Sequence, residues 1–427
     1  EMEIKTYEES KETYLTKKSY GNDELLEERV RGILAQVKAE GDEALFALTQ
    51  ELDGVDLRKV GLRVTEEEIR KAYEQVEDGF LQALRQAKDN IYDYHFKQKR
   101  TSWLDAKEDG SILGQLLLPL ERVGIYVPGG TAAYPSSVLM NALPAVVAGV
   151  KEIVMVSPPR KDGSLLPEVL VAAAEVGVTE IYKVGGAQAI AALAFGTKEI
   201  PAVDKITGPG NIYVTLAKKQ VYGTVDIDML AGPSEILVLA DDSARAEELA
   251  ADLLSQAEHD PLASPILVST DRKLLEETVA EVERQLKELP RQEIARAAWE
   301  NNGAAILVKD LEEGIALANL IAPEHLELVL RDPYNWLGKV RNAGAVFLGR
   351  FSPEPVGDYF AGPNHVLPTG GTARFYSPLN VDTFMKKISL ISYSEKALQR
   401  DGQQIAELAR KEGLEAHARA VEVRKLW

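Results

Sequence analysis

The sequence contains no cysteine among its 427 residues. This absence excludes a disulfide scaffold and a zinc site with thiolate ligands. It also means that any covalent or redox chemistry has to proceed without a sulfur nucleophile.

Long apolar runs and a surplus of positive charge are missing too. The longest apolar stretch, 138–150, is interrupted by Asn141, Pro144 and Gly149 and is too short to cross a bilayer. The first residues include no apolar segment that resembles a signal peptide. A formal net charge of −18 argues against a nucleic-acid partner, because phosphate backbones are bound by clustered lysine and arginine. We therefore expect a cytoplasmic protein without membrane or nucleic-acid partners, although a processed organelle protein would have the same composition.

Histidine is scarce, and its placement is informative. Of five histidines, four lie beyond residue 258 beside acids, amides or Pro/Gly turns: His259, His325, His365 and His417. Imidazoles among acids suit a metal site or an acid–base site, because the unperturbed pKa of histidine lies near neutral pH. Gln256 and His259 share one face of a predicted helix turn and could offer an amide oxygen and a ring nitrogen to one metal ion. Taken alone, this pair is a weak signal and is more typical of a protein surface.

Other acid and imidazole groups have the same two interpretations. Glu324 and His325 are adjacent at the start of an apolar run and could divide two proton transfers between them, or form a solvated turn. Asp358 lies in a loop with Pro and Gly on both sides, and His417 lies on a charged terminal helix. His95, among aromatic neighbours, is interpreted as a packing residue.

The predicted fold is α/β with two incomplete Rossmann-like sheets. Residues 1–118 are predicted to be helical, because charged amphipathic stretches cover 23–50 and 66–98. From Val123 onward, short β-branched runs alternate with alanine-rich helices, which indicates parallel βαβ units. The strands are expected at 122–127, 152–157, 180–184 and 205–207, and then at 236–240, 265–269, 304–308 and 345–348.

The same alternation suggests how the chain divides. We expect a larger α/β domain from residues 1–122 with 236–378, including the N-terminal helices, and a second Rossmann-like domain from 123–235. Residues 379–427 are expected to form a small helical tail. Such a tail is too thin to build its own core, so we expect it to dock on a second subunit.

Four glycine-rich turns border the predicted strands, at 127–131, 184–188, 207–211 and 230–234. In parallel sheets, ligands bind near the carboxyl ends of strands, where helix N-termini offer free N–H groups. None of the turns matches G-x-G-x-x-G followed by an acid about 20 residues later. A nucleotide would therefore have to bind without the usual fingerprint.

Several ordered blocks resemble the histidinol dehydrogenase family. They run from about Leu118 to His417 and include RVGIYVPGG (122–130), GGAQAIAALAFGT (185–197), GPGNIYV (208–214), DMLAGPSE (228–235), SQAEHD (255–260), APEHLE (322–327) and GDYFAGPNHVLPT (357–369). The first 118 residues are the least diagnostic part.

The resemblance implies a homodimer with an active site shared between subunits. It implies one Zn²⁺ per subunit, held by Gln256, His259, Asp358 and His417, the last from the partner subunit. Neutral imidazoles and oxygen donors suit zinc, and a site without thiolates also accepts manganese or cobalt.

The implied reaction is the last step of histidine biosynthesis, in which L-histidinol and two NAD⁺ give L-histidine through L-histidinaldehyde. His325 is implied as the general base and Glu324 as the group that activates water. Because the chain lacks cysteine, the aldehyde has to be oxidised as a hydrate rather than as a thiohemiacetal. The implied substrate contacts are the four metal ligands with Ser234, His325, His365 and Glu412, and the implied NAD contacts are Tyr126, Gln188 and Asn211 in the 123–235 domain.

Two other functions use the same residues. One is a zinc hydrolase in which Glu324 or His325 activates water, and the other is a non-catalytic dimer in which a metal joins the subunits. Counting NADH per histidinol consumed distinguishes them.

Overall fold

The computed structural model describes residues 2–16, 22–129 and 134–424. Gly130 and Thr131 of the first glycine-rich turn, and the last residues of the predicted tail, 425–427, lie outside the described residues. Within them, no helix is both long enough and apolar enough to cross a membrane.

The strands are, in chain order, β1 Ile4–Thr6, β2 Trp103–Ala106, β3 Ile112–Pro119, β4 Arg122–Tyr126, β5 Glu152–Val156, β6 Glu180–Tyr182, β7 Lys205–Thr207, β8 Asp226–Ile227, β9 Glu235–Ala240, β10 Ser264–Ser269, β11 Ala304–Leu307, β12 His325–Val329, β13 Ala345–Leu348 and β14 Met385–Ser392.

The helices are α1 Tyr7–Leu15, α2 Glu24–Glu40, α3 Asp42–Asp53, α4 Leu57–Val60, α5 Glu66–Gln75, α6 Asp78–Phe96, α7 Pro135–Ala148, α8 Pro167–Glu175, α9 Gly186–Phe195, α10 Ile212–Val221, α11 Ala246–Ala257, α12 Arg272–Leu286, α13 Gln292–Asn302, α14 Leu311–Ile321, α15 Tyr334–Leu337, α16 Glu354–Tyr359, α17 Glu395–Lys411 and α18 Glu415–Glu422.

Two parallel sheets form the framework. The first has the order β6-β5-β4-β7-β8 and the second the order β1-β11-β10-β9-β12-β13. Strands β4 and β12, each with a neighbouring strand on both sides, are buried at every residue, as expected for parallel strands covered on both faces by helices. The strand order reverses direction between β4 and β7 in the first sheet and between β9 and β12 in the second. The prediction of two Rossmann-like α/β sheets is confirmed.

The prediction that residues 1–118 are helical is wrong at three places. Residues of β1 pair in parallel with β11, and β2 and β3 join β14 in an antiparallel sheet of order β14-β3-β2. Strand β14 pairs with β3 over eight residues, from Met385 opposite Pro119 to Ser392 opposite Ile112. The expected all-helical tail therefore begins with a strand, because its apolar residues find a partner far away in the sequence.

The N-terminal helices also pack on a different sheet from the one predicted. Val30, Leu34 and Leu45 of α2 and α3 share a core with α9, α10 and the five-stranded sheet. Leu84 and Ile91 of α6 share the core on its other face with α7 and α8. Among the described N-terminal elements, α1 and β1 join the six-stranded sheet. The division into domains stays a prediction.

Candidate active site

A cavity of about 490 Å³ lies between the two parallel sheets. One wall comes from loops at the carboxyl ends of β7 and β8, with Pro209, Asp228 and Met229. The opposite wall comes from the amino ends of β9 and β12, from the end of α11, and from α16 with the segment after it. Its residues are Ser234, Gln256, His259, Glu324, His325, Asp358 and His365. The cavity therefore brings together seven of the residues that the sequence predicted for the site.

His325 is the first residue of β12, and its ring is almost fully buried. Its Nδ1 lies 2.9 Å from the backbone carbonyl oxygen of Glu235, which can only accept a hydrogen bond. In the neutral ring the proton is therefore on Nδ1, and Nε2 is the basic nitrogen. Nε2 has no hydrogen-bond partner among the described residues and lies 3.5 Å from Oδ1 of Asp358.

Glu354 and Asp358 flank this ring from a single turn of helix. They lie four residues apart on α16, so their side chains share one face of it. Oε1 of Glu354 is 2.9 Å from Nδ1, whereas Asp358 approaches Nε2. Although burial lowers the pKa of His325, the carboxylates of Glu354 and Glu324 outweigh it and raise that pKa well above its usual value. Glu354 was not predicted; its spacing from Asp358 was the signal that could have revealed it.

A tight turn presents Glu324 beside His325. Helix α14 ends at Ala322 in the left-handed region, at φ 52°, which is uncommon for a residue other than glycine. Pro323 follows and disfavours a continued helix at Ala322. Oε2 of Glu324 accepts a hydrogen bond from the Glu235 backbone N–H at 2.9 Å. Burial raises the pKa of this carboxyl to about 8, so it is poised to exchange a proton near neutral pH.

The oxygen and nitrogen donors nearby fit a zinc ion. Oε1 of Gln256 is buried at the end of α11 and has no hydrogen-bond partner among the described residues. An orphaned amide oxygen of this kind is rare unless a ligand satisfies it. One ligand atom each from His259, Glu354 and Asp358 lies within 4.8 Å of the others. Imidazole, carboxylate and amide donors together suit zinc, with Glu354 as a neighbour that the sequence had not indicated.

His365 and Ser234 complete the same wall. Nδ1 of His365 lies 3.0 Å from the backbone carbonyl oxygen of Asp358, so this nitrogen donates and Nε2 is left to accept. Burial lowers the pKa of His365, which favours the neutral ring. His325, Asp358 and His365 also line a second cavity of about 830 Å³ behind β13, so the imidazole of His325 lies between two cavities.

Glu412 and His417 lie away from these residues. Glu412 follows α17 and His417 is exposed on α18. Neither is among the residues that line either cavity in the described part of the chain. Within one chain, the structure therefore does not bring these two predicted site residues to the others.

The three predicted NAD contacts lie at the carboxyl edge of the five-stranded sheet. Tyr126 ends β4, Gln188 is in the first turn of α9, and Asn211 caps α10 by accepting from the Val214 N–H at 3.1 Å. The hydroxyl of Tyr126 accepts from the Gly186 N–H at 2.9 Å, and burial raises its pKa to about 12.

A buried ion pair shapes the glycine turn before Asn211. Nζ of Lys218 bonds to the Gly208 carbonyl oxygen at 3.0 Å and to Oδ1 of Asp228 at 2.5 Å. Oδ2 of Asp228 accepts from the Gly208 N–H at 2.9 Å. Gly208 has φ 107°, and a Cβ there would lie 2.3 Å from the carbonyl oxygen of Tyr126. Only glycine allows this approach, which lets the turn close over the end of β4.

Comparison with known proteins agrees with this architecture. The family model of histidinol dehydrogenase matches residues 16–425. The chain belongs to the histidinol dehydrogenase family. A histidinol dehydrogenase of Halalkalibacterium halodurans is 61% identical over 395 residues, which are 92% of this chain and 93% of that protein. One of Moorella thermoacetica is 62% identical over 397 residues, or 93% of this chain and 94% of its own.

A solved histidinol dehydrogenase has the same fold. The crystal structure of the Elizabethkingia anophelis protein superposes with a TM-score of 0.94 at 41% identity, over 99% of this chain and 97% of that one. Membership in the histidinol dehydrogenase family confirms the prediction of an oxidoreductase of histidine biosynthesis. It decides against the zinc hydrolase and the non-catalytic metal-joined dimer. The roles of individual site residues stay predictions.

Proposed function

We propose that this chain oxidises L-histidinol to L-histidine in two NAD-linked steps. The observation that carries the proposal is the buried Glu324–His325 pair, whose two proton-accepting groups lie beside an orphaned amide oxygen and a set of metal-binding side chains. Family membership supports the substrate and the reaction type.

We assign zinc to Gln256, His259 and Asp358 of one subunit together with His417 of the partner subunit. The placement of His417 outside the cavity of its own chain supports a donor from the partner. These residues would supply four N and O donors to the ion. A bound zinc would anchor and orient the substrate through its amine and imidazole.

His325 is the proposed base of the first oxidation. Its Nε2 takes the proton of the substrate hydroxyl while a hydride leaves the carbon that bears this hydroxyl. When bound, NAD⁺ supplies the acceptor for that hydride. The Glu235 carbonyl holds the Nδ1 proton, which keeps the basic lone pair directed into the cleft.

Glu324 prepares the second oxidation. Its carboxylate takes a proton from water as the water oxygen bonds to the aldehyde carbon, while the protonated His325 returns its proton to the aldehyde oxygen. This gives the hydrate and a neutral imidazole. His325 then takes a proton from a hydroxyl of the hydrate, the hydride leaves that carbon for a second NAD⁺, and the carboxylic acid forms. This path needs no thiol, in keeping with the absence of cysteine.

The remaining predicted residues hold the two ligands. Ser234 and His365 lie in the wall of the cavity and are assigned to the substrate. Glu412 is assigned to the substrate of the partner's site, since it lies on the same tail as His417. Tyr126, Gln188 and Asn211 are assigned to NAD, at the switch in strand order where parallel sheets bind nucleotides.

The test is the amount of NADH formed per histidinol consumed, measured by absorbance with the zinc-loaded protein. Two equivalents are expected. One equivalent would indicate a simple alcohol dehydrogenase, and none would contradict the proposed function.

A further inference from the structure

We propose that Glu354 is a positioning residue that orients His325 and stabilises the positive charge that its ring acquires on accepting a proton. This inference rests on the proposed function, in which His325 is the base. The Glu354 carboxylate faces Nδ1 of His325, whereas the proposed base is the other ring nitrogen, Nε2.

The contact between Glu354 and His325 is short and buried. Oε1 of Glu354 lies 2.9 Å from Nδ1 of His325, and the two side chains are 1% and 5% exposed. Oε1 has no hydrogen-bond partner among the described residues, because the Nδ1 proton is directed at the Glu235 carbonyl. The carboxylate therefore acts on the ring through charge, and the low local dielectric makes that attraction large.

Glu354 is fixed on its other sides. The Ser255 hydroxyl lies 3.3 Å from Oε2, and the Glu354 backbone N–H donates to Oε1 of Glu327 at 3.0 Å. Glu327 is itself buried and shares a hydrogen bond with Asp252. Burial and that neighbour raise the pKa of Glu327, which favours its neutral form.

The alternative for Glu354 is direct metal binding, since one of its oxygens lies within 4.8 Å of ligand atoms of His259 and Asp358. The proposed site already has four donors without it, which is the usual number for zinc. The side chain of Glu354 instead contacts the imidazole of His325 and the hydroxyl of Ser255, and its backbone N–H donates to Glu327. Positioning explains these contacts, whereas ligation does not require them.

The test compares Glu354→Gln with wild type and with Glu276→Gln, an exposed glutamate on α12. Glutamine keeps the shape of the side chain and removes its charge. We expect kcat to fall about 10–100-fold, the usual loss when a group that supports a catalytic histidine is removed. Zinc content by metal analysis and the Kd for histidinol by calorimetry are expected to match wild type, as is every value for Glu276→Gln.

Each other outcome has a defined meaning. If wild type forms no NADH, the proposed function fails and not this inference. If wild type is active, an unchanged kcat overturns the inference; loss of zinc makes Glu354 a ligand, and a Kd that weakens in parallel with kcat makes it a substrate contact. If the glutamine variant does not fold, Glu354→Asp decides instead. Its shorter side chain withdraws the carboxylate from Nδ1, so an unchanged kcat at full zinc content would overturn the inference.

Discussion

The two parallel sheets face one cleft with opposite edges. The five-stranded sheet presents carboxyl ends of its strands, with Pro209 of a glycine turn in the cavity wall and the neutral polar groups Tyr126 and Asn211 at the same edge. The six-stranded sheet presents the amino ends of β9 and β12, with buried acids and imidazoles. Only the first follows the general rule that ligands bind at carboxyl edges.

Helix direction gives a physical reason for this difference. Helices begin at the carboxyl edge of a parallel sheet, so α9 and α10 direct free N–H groups and partial positive charge at that side, which suits an anionic cofactor. Helices end at the amino edge, so α11 directs its carbonyl end toward Gln256 and His259. That end favours cations, such as a zinc ion or an imidazolium. The two edges thus suit ligands of opposite charge.

The largest expected effect tests whether the proposed zinc ligands at the amino edge come from both subunits. His259→Ala and His417→Ala should each abolish turnover, because each removes a proposed zinc ligand. Mixing the two inactive proteins and allowing subunits to exchange should restore activity, since one site of each heterodimer would have every ligand. The measurement is NADH formation. Each variant remixed with itself is the control, and verified heterodimers without activity would contradict a ligand from the partner.

The next largest effect is expected when the proposed base at the amino edge is replaced. His325→Asn should lower kcat by about 10²–10⁴-fold, the contribution of a positioned general base. Its zinc content and its affinity for NAD should stay at the wild-type level, because His325 is neither a proposed zinc ligand nor a proposed NAD contact. Steady-state kinetics and metal analysis check this. Substantial loss of zinc would sink the assignment of His325 as a base rather than a ligand.

The sequence predicted the regular parts of the fold well. Strands 205–207 and 345–348 have the predicted bounds, because short β-branched runs decide such elements locally. The pairing of β14 with β3 was missed, since nothing local marks two strands that meet across more than 260 residues. The packing side of α2 and α6 was missed for the same reason. An amphipathic helix shows that it has a buried face but not what covers it.

The site was predicted unevenly as well. Gln256, His259, Glu324, His325 and Asp358 do meet in one cavity, but their meeting was inferred from the family resemblance and not from spacing. Glu354 was missed because its role depends on the direction of α16 relative to β12. The orphaned oxygen of Gln256 and the Nδ1 proton of His325 are likewise properties of three-dimensional packing.

A smaller effect is expected to distinguish the two oxidation steps at the amino edge. Glu324→Gln should slow aldehyde oxidation about 10²-fold, at the low end for a lost base, and leave the first step faster than the second. NADH per histidinol should then approach one at early times. Because burial raises the pKa of Glu324 to about 8, its carboxyl is mostly protonated at neutral pH and gains basicity as pH rises.

The direction of this pKa shift allows a second measurement on Glu324. The rate of aldehyde oxidation in wild type should rise as pH increases through about 8, whereas the glutamine variant should lose that rise. A variant that keeps the wild-type slope would show that another group titrates.

The smallest effect is expected at the carboxyl edge. Gln188 is buried, and its Oε1 has no hydrogen-bond partner among the described residues, so a bound cofactor can satisfy it. Gln188→Ala should raise the KM for NAD about 5-fold, equivalent to one hydrogen bond of ~1 kcal/mol. The KM for histidinol and kcat should change little. Gln220→Ala is the matched control, because Gln220 lies on α10 of the same sheet and bonds to the Glu27 backbone instead. If Gln188→Ala lowers kcat, or raises the KM for histidinol as much as the KM for NAD, the two edges are not separate in function. The argument that they bind ligands of opposite charge then loses its support.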